Sequence, residues 1–181
     1  MKPKNYSSEA VVLSRKNYGE SDRIISVFSK NYGKLNFLAK GVRRSLSRKR
    51  GHIEVFSRVK FLGLKGRALN IVTEVELMDS FSSLRKDLRR VSVAYFLVDV
   101  VKKITSEEEK HAELYDLLVK TLEELKYQTN LKTLRRNFAF RVLTVLGYWP
   151  KERLLENPDI LLRDVLERDL GSIRVGKALL S

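Results

Sequence analysis

Gly33-Lys34-Leu35-Asn36-Phe37-Leu38-Ala39-Lys40 runs directly into Gly41-Val42-Arg43-Arg44-Ser45-Leu46-Ser47-Arg48-Lys49-Arg50-Gly51. In the first half Leu35, Phe37 and Ala39 alternate with Lys34, Asn36 and Lys40. A period of two puts the apolar set on one face of a strand and the wet, basic set on the other. The second half carries five cations and no acid between two glycines. Charges that dense stay in water unless an anion meets them. Gly41 and Gly51 read as the ends of a mobile loop that grips an anionic backbone without reading its sequence.

Working outward, two strand-like runs precede this stretch and two follow it. Ala10–Arg15 is the first, and Tyr18-Gly19-Glu20-Ser21-Asp22 turns the chain into the second, Arg23–Ser29. Asn31-Tyr32-Gly33 supplies the next turn. After the basic loop, Ile53–Leu64 turns Val55, Val59 and Phe61 inward and Arg58 and Lys60 outward. Lys65-Gly66-Arg67 then reverses the chain into a fifth run, with Leu69, Ile71, Thr73, Val75 and Leu77 on one side and Asn70, Glu74 and Glu76 on the other. Five short runs at close spacing predict a small antiparallel barrel of the OB type, whose loops and one face bind single strands. A half-open sandwich has the same texture.

Near residue 80 the apolar period changes from two to between three and four. Ser80 or Ser82 caps a helix from about Ser83 to Ile104, with Val93, Phe96, Leu97, Val100 and Val101 along it. Ser106-Glu107-Glu108-Glu109 has the form of a capping box opening a second helix, whose stripe is Leu114, Leu117, Leu118, Leu122 and Leu125. Asn130 caps a third, with Leu131, Leu134, Phe138, Val142 and Val145 inward and Gly147 ending it. Asn157-Pro158 opens a fourth that runs to about Leu170, and a short last helix spans Ser172 to Leu180. The expected fold is therefore α+β by segregated domains: residues 1–80 a five-stranded OB-type barrel, residues 81–181 an α-helical bundle.

The totals narrow the function. The 181 residues carry a formal charge of +14. Residues 1–80 hold 17 Lys and Arg against 7 Asp and Glu, and residues 81–181 hold 19 against 15. Partners are polyanions: nucleic acid, an anionic membrane or an acidic protein tail. Cysteine is absent, which removes disulfides, thiolate catalysis and thiolate zinc sites. No window approaches the roughly 20 apolar residues of a membrane span, so a cytoplasmic protein is expected. No catalytic constellation appears. His52 and His111 are the two histidines and lie far apart, the acids of the front part are too sparse for a two-metal nuclease, and Gly63-Leu64-Lys65-Gly66-Arg67 is too short for a P-loop. The chain reads as a binding module, not an enzyme, without cofactor or metal.

Arg15, Lys16, Lys34, Lys40 and Arg67 are placed to share a surface with the basic loop. Tyr18, Tyr32 and Phe56 are candidates for stacking on bases. In the back part Arg135, Arg136 and Arg141 flank the third helix's apolar stripe, where an acidic, apolar peptide would fit. An RNA-binding module and an adaptor for acidic tails use the same charge.

Glu9-Ala10-Val11-Val12-Leu13, Tyr18-Gly19-Glu20-Ser21-Asp22-Arg23, Phe28-Ser29-Lys30-Asn31-Tyr32-Gly33-Lys34, Ala39-Lys40-Gly41-Val42-Arg43-Arg44 and Ser47-Arg48 follow one another in an order and spacing that resembles the RecO family of bacterial recombination mediators. The likeness continues more weakly through Leu134-Arg135-Arg136 to Leu146-Gly147-Tyr148. It implies an OB barrel followed by a helical domain, with non-enzymatic activity in DNA repair: binding single- and double-stranded DNA, annealing strands coated by the single-strand binding protein SSB, and acting with RecR to help RecA load. A cytoplasmic, nucleoid-associated location goes with it. The DNA-binding positions it implies are Arg15, Arg23, Lys34, Lys40, Arg43, Arg44, Arg48, Lys49 and Arg50, and the acidic tail of SSB falls to Arg135 and Arg136. Many members insert a four-cysteine zinc module after the block matching Leu146-Gly147-Tyr148. Here Trp149-Pro150 follows directly, with no cysteine.

Overall fold

The computed structural model describes residues 5–167 apart from Leu46 and Arg48. Five strands, β1 (Asn5–Tyr18), β2 (Asp22–Ser29), β3 (Gly33–Ala39), β4 (Arg58–Leu64) and β5 (Asn70–Asp79), close into a barrel in the order β1-β2-β3-β5-β4. All pairings are antiparallel except β3 with β5, a parallel contact limited to Phe37 opposite Asn70 and Leu38 opposite Ile71. This closed barrel is the expected OB-type fold, and the sandwich alternative falls.

The alternation along β3 holds at every position: Leu35, Phe37 and Ala39 are buried, and Lys34, Asn36 and Leu38 are half-buried. The inward set meets Tyr6, Val12, Ile25, Val27, Val59, Phe61 and Val72 in one core. Phe37 stands edge-on to Phe61 at 5.1 Å and to Tyr6 at 5.8 Å, arrangements that suit the ring quadrupoles. β5 departs from the expected pattern. Its pairing steps from Gly63 opposite Val72 to Leu62 opposite Glu74, so a bulge turns Thr73 outward and makes Val72 the buried residue.

The outer face of β1 and β2 is apolar too, with Val11, Leu13 and Phe28 buried. Strands apolar on both faces require cover, and α1 (Leu88–Ile104) and α2 (Ala112–Leu125) supply it: Tyr115 of α2 lies 6.5 Å from Phe28. Barrel, α1 and α2 form one compact unit that ends at Tyr127, and a second begins at Gln128. In the second, α3 (Leu131–Val145) is capped by Asn130, whose side chain accepts from the Thr133 N–H at 3.0 Å. A fourth helix, α4, spans residues 158–167, beginning at Pro158 as expected. Its extension to Leu170 and the helix from Ser172 lie outside the described residues.

Two helix starts differ from expectation. Residues 84–86 form a separate 3-10 turn, and Asp87, accepting from the Arg89 N–H, caps α1 in place of Ser80 or Ser82. Ser106-Glu107-Glu108-Glu109 opens no helix. Glu107 bridges to Lys34 beside β3, and the Glu108 N–H donates to the Lys34 carbonyl at 2.9 Å. The Glu108 carboxylate accepts from Tyr6 at 3.1 Å and pairs with Lys65 at 3.2 Å. The strand edge outbids the local capping signal because it satisfies backbone and carboxylate groups together. α2 starts six residues later, after His111.

Candidate nucleic-acid interface

The basic stretch is built differently from a mobile loop. Val42 and Ile53 are fully buried in the barrel core at either side of it. Between them, successive turns are closed by the N–H groups of Arg44, Ser47, Arg50 and His52 donating to the carbonyls of Gly41, Arg44, Ser47 and Lys49. Lys49 Nζ donates to the Thr73 carbonyl, and His52 Nδ1 lies 3.1 Å from the Val75 carbonyl. The segment thereby seals the edge of β5 where pairing with β3 gives out.

This sealing brings four sequence-predicted residues together. Arg15 of β1 pairs with Glu54 at 2.6 Å, and Arg23 of β2 reaches the same carboxylate oxygen at 3.9 Å. Arg43 donates to the Gly19 carbonyl at 3.2 Å, tying the segment to the β1–β2 hairpin. Burial first, and then the charges of Arg15, Arg50 and Arg43, hold the Arg23 guanidinium below its ordinary pKa, against the pull of Glu54. The Glu54 carboxylate thus meets two guanidiniums, and the charges of Arg43 and Arg50 act on Arg23 as well. Arg23 is only 12% exposed, and its Nη1 is buried with no hydrogen-bond partner among the described residues.

The other candidates divide. Arg44 is exposed beside Gly41, and Lys40 is exposed just past β3. Lys49 is occupied at β5. Lys34 turns away from the cluster: its Nζ donates to the carbonyls of Lys102, at 2.8 Å, and Thr105, at the carboxyl end of α1, where a cation complements the helix dipole. Burial pushes its pKa down, against the pull of Glu107. Arg48 lies outside the described residues. Of the aromatic candidates, Tyr18 is 50% exposed at the end of β1, Tyr32 packs edge-on against Tyr6 at 5.2 Å, and Phe56 is fully buried. The expected fourth run starts at Ile53, whereas β4 begins at Arg58, and Phe56 sits buried in the preceding turn. Sequence reasoning missed Glu54, which organises the cluster, and Arg85, whose guanidinium stacks 4.0 Å over the Phe56 ring. No local pattern marks either one.

In the second unit, Arg136 Nη2 donates to the Glu156 carbonyl at 2.9 Å, and Arg135 pairs with Asp159 at 3.4 Å. Arg136 lines a cavity of about 220 Å³ with Phe140, Leu155 and Pro158. A shallower cleft of about 490 Å³ adjoins it, lined by Trp149, Leu154, Ile160 and Leu161. Leu154 and Ile160 are 86% and 54% exposed. Arg141 is exposed. Among the described residues no helix is long and apolar enough to cross a membrane, and no group of three or more acids and histidines is placed to hold a metal.

Fold and surface together define a basic OB-type barrel extended by helices. The family models for the Recombination protein O N terminal and Recombination protein O C terminal domains match residues 1–81 and 85–153, and the chain belongs to the RecO family. It is 35% identical over 147 residues to the DNA repair protein RecO of Pelotomaculum thermopropionicum, covering 81% of this chain and 57% of that protein. It is 35% identical over 144 residues to that of Alkaliphilus metalliredigens, covering 79% and 58%. The RecO of a Roseiflexus species is 32% identical over 151 residues, covering 83% and 53%. The chain thus spans between half and three-fifths of the length of these relatives.

Proposed function

We propose that this chain is a non-enzymatic, DNA-binding recombination mediator of DNA repair, and that its barrel holds the phosphate backbone on Arg15, Arg23, Arg43 and Arg50, with Lys40 and Arg44 beside them. The observation that carries this reading is the convergence of Arg15 and Arg23 on the single carboxylate of Glu54, with the charges of Arg43 and Arg50 acting on Arg23 as well, so that cations outnumber the anion there. Like charges held close together repel. A phosphate relieves that repulsion, because guanidiniums bind phosphate in fork geometry. Tyr18, half exposed beside the Gly19 that Arg43 holds, offers a ring on which a base stacks. Lys34 serves the fold more than the strand.

In this reading the barrel of residues 1–80 holds the nucleic acid, and within the helical residues 81–181 the partner tail falls to the unit that begins at Gln128. Arg135 and Arg136, beside exposed Leu154 and Ile160, take the acidic, apolar carboxyl-terminal tail of SSB. RecR is the second partner, and the product of the assembly is RecA loaded onto single strands.

The test is annealing of complementary DNA strands coated with SSB. Acceleration by the intact chain, lost when Arg43 and Arg50 are changed to alanine, is the expected result. No acceleration by well-folded protein contradicts the mediator reading. Strong preference for RNA over DNA of one sequence transfers the barrel to an RNA-binding role. Binding of an SSB tail by a chain that ignores DNA makes it an adaptor.

A further inference from the structure

A cleft of about 580 Å³ opens between β1 and α1, within the roughly 300–1,000 Å³ that ligand-sized groups fill. Its floor is Leu13, Val55 and Val98, all buried. Leu13 stands there because β1 bulges: pairing steps from Val12 opposite Val27 to Ser14 opposite Ser26, and Leu13 drops out of the ladder. Bulges of this kind re-aim a side chain.

One wall is Tyr95 of α1, 49% exposed. Its ring meets that of buried Phe56 at 5.7 Å with an interplanar angle of 84°. Phe56 holds a φ of +58°, a left-handed conformation that bulky residues rarely adopt. Arg85 secures it, stacking on the far ring and donating to the Val55 carbonyl at 2.9 Å and to Ser57 Oγ at 3.2 Å. Strain of this type persists where surroundings over-determine it, and it concentrates at binding positions. The outcome is an aromatic ring, fixed in orientation and half in water, over an apolar floor.

Cations line the cleft as well: Arg15 and Lys102. Arg15 also belongs to the arginine cluster through Glu54 and Arg23, so the cleft is continuous with that basic surface. Asp99 stands at the rim, paired with Lys103 at 2.7 Å. A carboxylate there disfavours an acidic peptide, whereas a nucleobase is neutral. The hydroxyls of Ser14 and Ser92 donate or accept as a base edge requires.

We propose that the cleft between β1 and α1 receives one unpaired nucleobase of a strand whose phosphates lie on the arginine cluster, with the base stacked on Tyr95. The inference rests on the nucleic-acid reading above. A base must leave its duplex to enter, so the cleft favours single strands without selecting a sequence.

The intact chain, Tyr95→Ala and Tyr95→Phe are titrated with oligothymidine and with a fully abasic strand of equal length. The unaltered protein is expected to bind the base-bearing strand roughly tenfold more tightly, the scale of one stacked base. Tyr95→Ala removes most of that preference and leaves abasic affinity and its salt dependence in place, while Tyr95→Phe keeps it. Equal affinity of the unaltered protein for both strands overturns the cleft inference and leaves the electrostatic reading standing. Binding of neither strand overturns both. An unchanged preference in Tyr95→Ala, or proportional loss on both strands, also overturns the inference. Should Tyr95→Ala fold poorly, a single 2-aminopurine in the strand gives a readout on the unaltered protein. A change of its emission at saturation is expected, and none contradicts the proposal.

Discussion

Gly33 shows how much of this architecture rests on single positions. It holds a φ of +71°, and a Cβ there would lie 1.8 Å from the Glu109 carbonyl oxygen. Gly33→Ala therefore forces both a left-handed alanine, at about 1–3 kcal/mol, and displacement of the acidic segment from β3. A lowered urea midpoint with an unchanged slope is expected, and an unmoved midpoint contradicts the packing described. Glu9 governs an acid-side effect. Arg58, donating at 2.7 Å, holds its carboxyl below the ordinary value of 4.5, against a smaller opposing effect of burial. Burial works against the Asp79 carboxyl, yet hydrogen bonds from Lys126 and the Phe81 N–H bring it below its ordinary value as well. A carboxylate depressed in the folded state contributes stability that is present above its unfolded pKa and is lost as pH falls through the folded one. Stability should therefore decline as pH drops below about 4.5, and Glu9→Gln should reduce that decline. Urea midpoints measured across pH 3 to 7 check this.

At the scale of elements, helix caps separate local from tertiary information. Asn130→Ala should cost about 1 kcal/mol, because the side chain satisfies the Thr133 N–H. Ser106→Ala should change stability by less than about 0.5 kcal/mol, since α2 begins at Ala112. Urea unfolding of both variants makes the comparison, and equal costs would contradict it. The strands were legible because period-two alternation is imposed by the core they share. Asn130 and Pro158 were legible because a cap acts within one turn. The Ser106 capping box misled, since the competing partner, the edge of β3, is about 70 residues away in sequence. The bulges at Leu13 and Thr73 were illegible for a related reason: a slipped register depends on the opposing strand. The two helices against β1 and β2 had one signal in the sequence, the apolar outer residues Val11, Leu13 and Phe28.

At the scale of the whole molecule, the sequence located the positive charge in residues 1–80 but not which cations converge. Arg15, Arg23, Arg43 and Arg50 come from two strands and one turn segment, and Glu54 draws the first two together. Lys34, adjacent in the same alternating run, is spent on the end of α1. The surface is thus narrower than the nine cations expected from the sequence, five of them in residues 41–51. Its most direct test is the salt dependence of DNA binding by the intact chain. Four neutralised phosphates give a slope of log K against log salt of about −3 on single strands and about −4 on duplex. Changing Arg43 and Arg50 together to alanine should flatten the single-strand slope by about 1.4, on any sequence. A slope that is the same with and without those two arginines would contradict the cluster as the site where DNA is held.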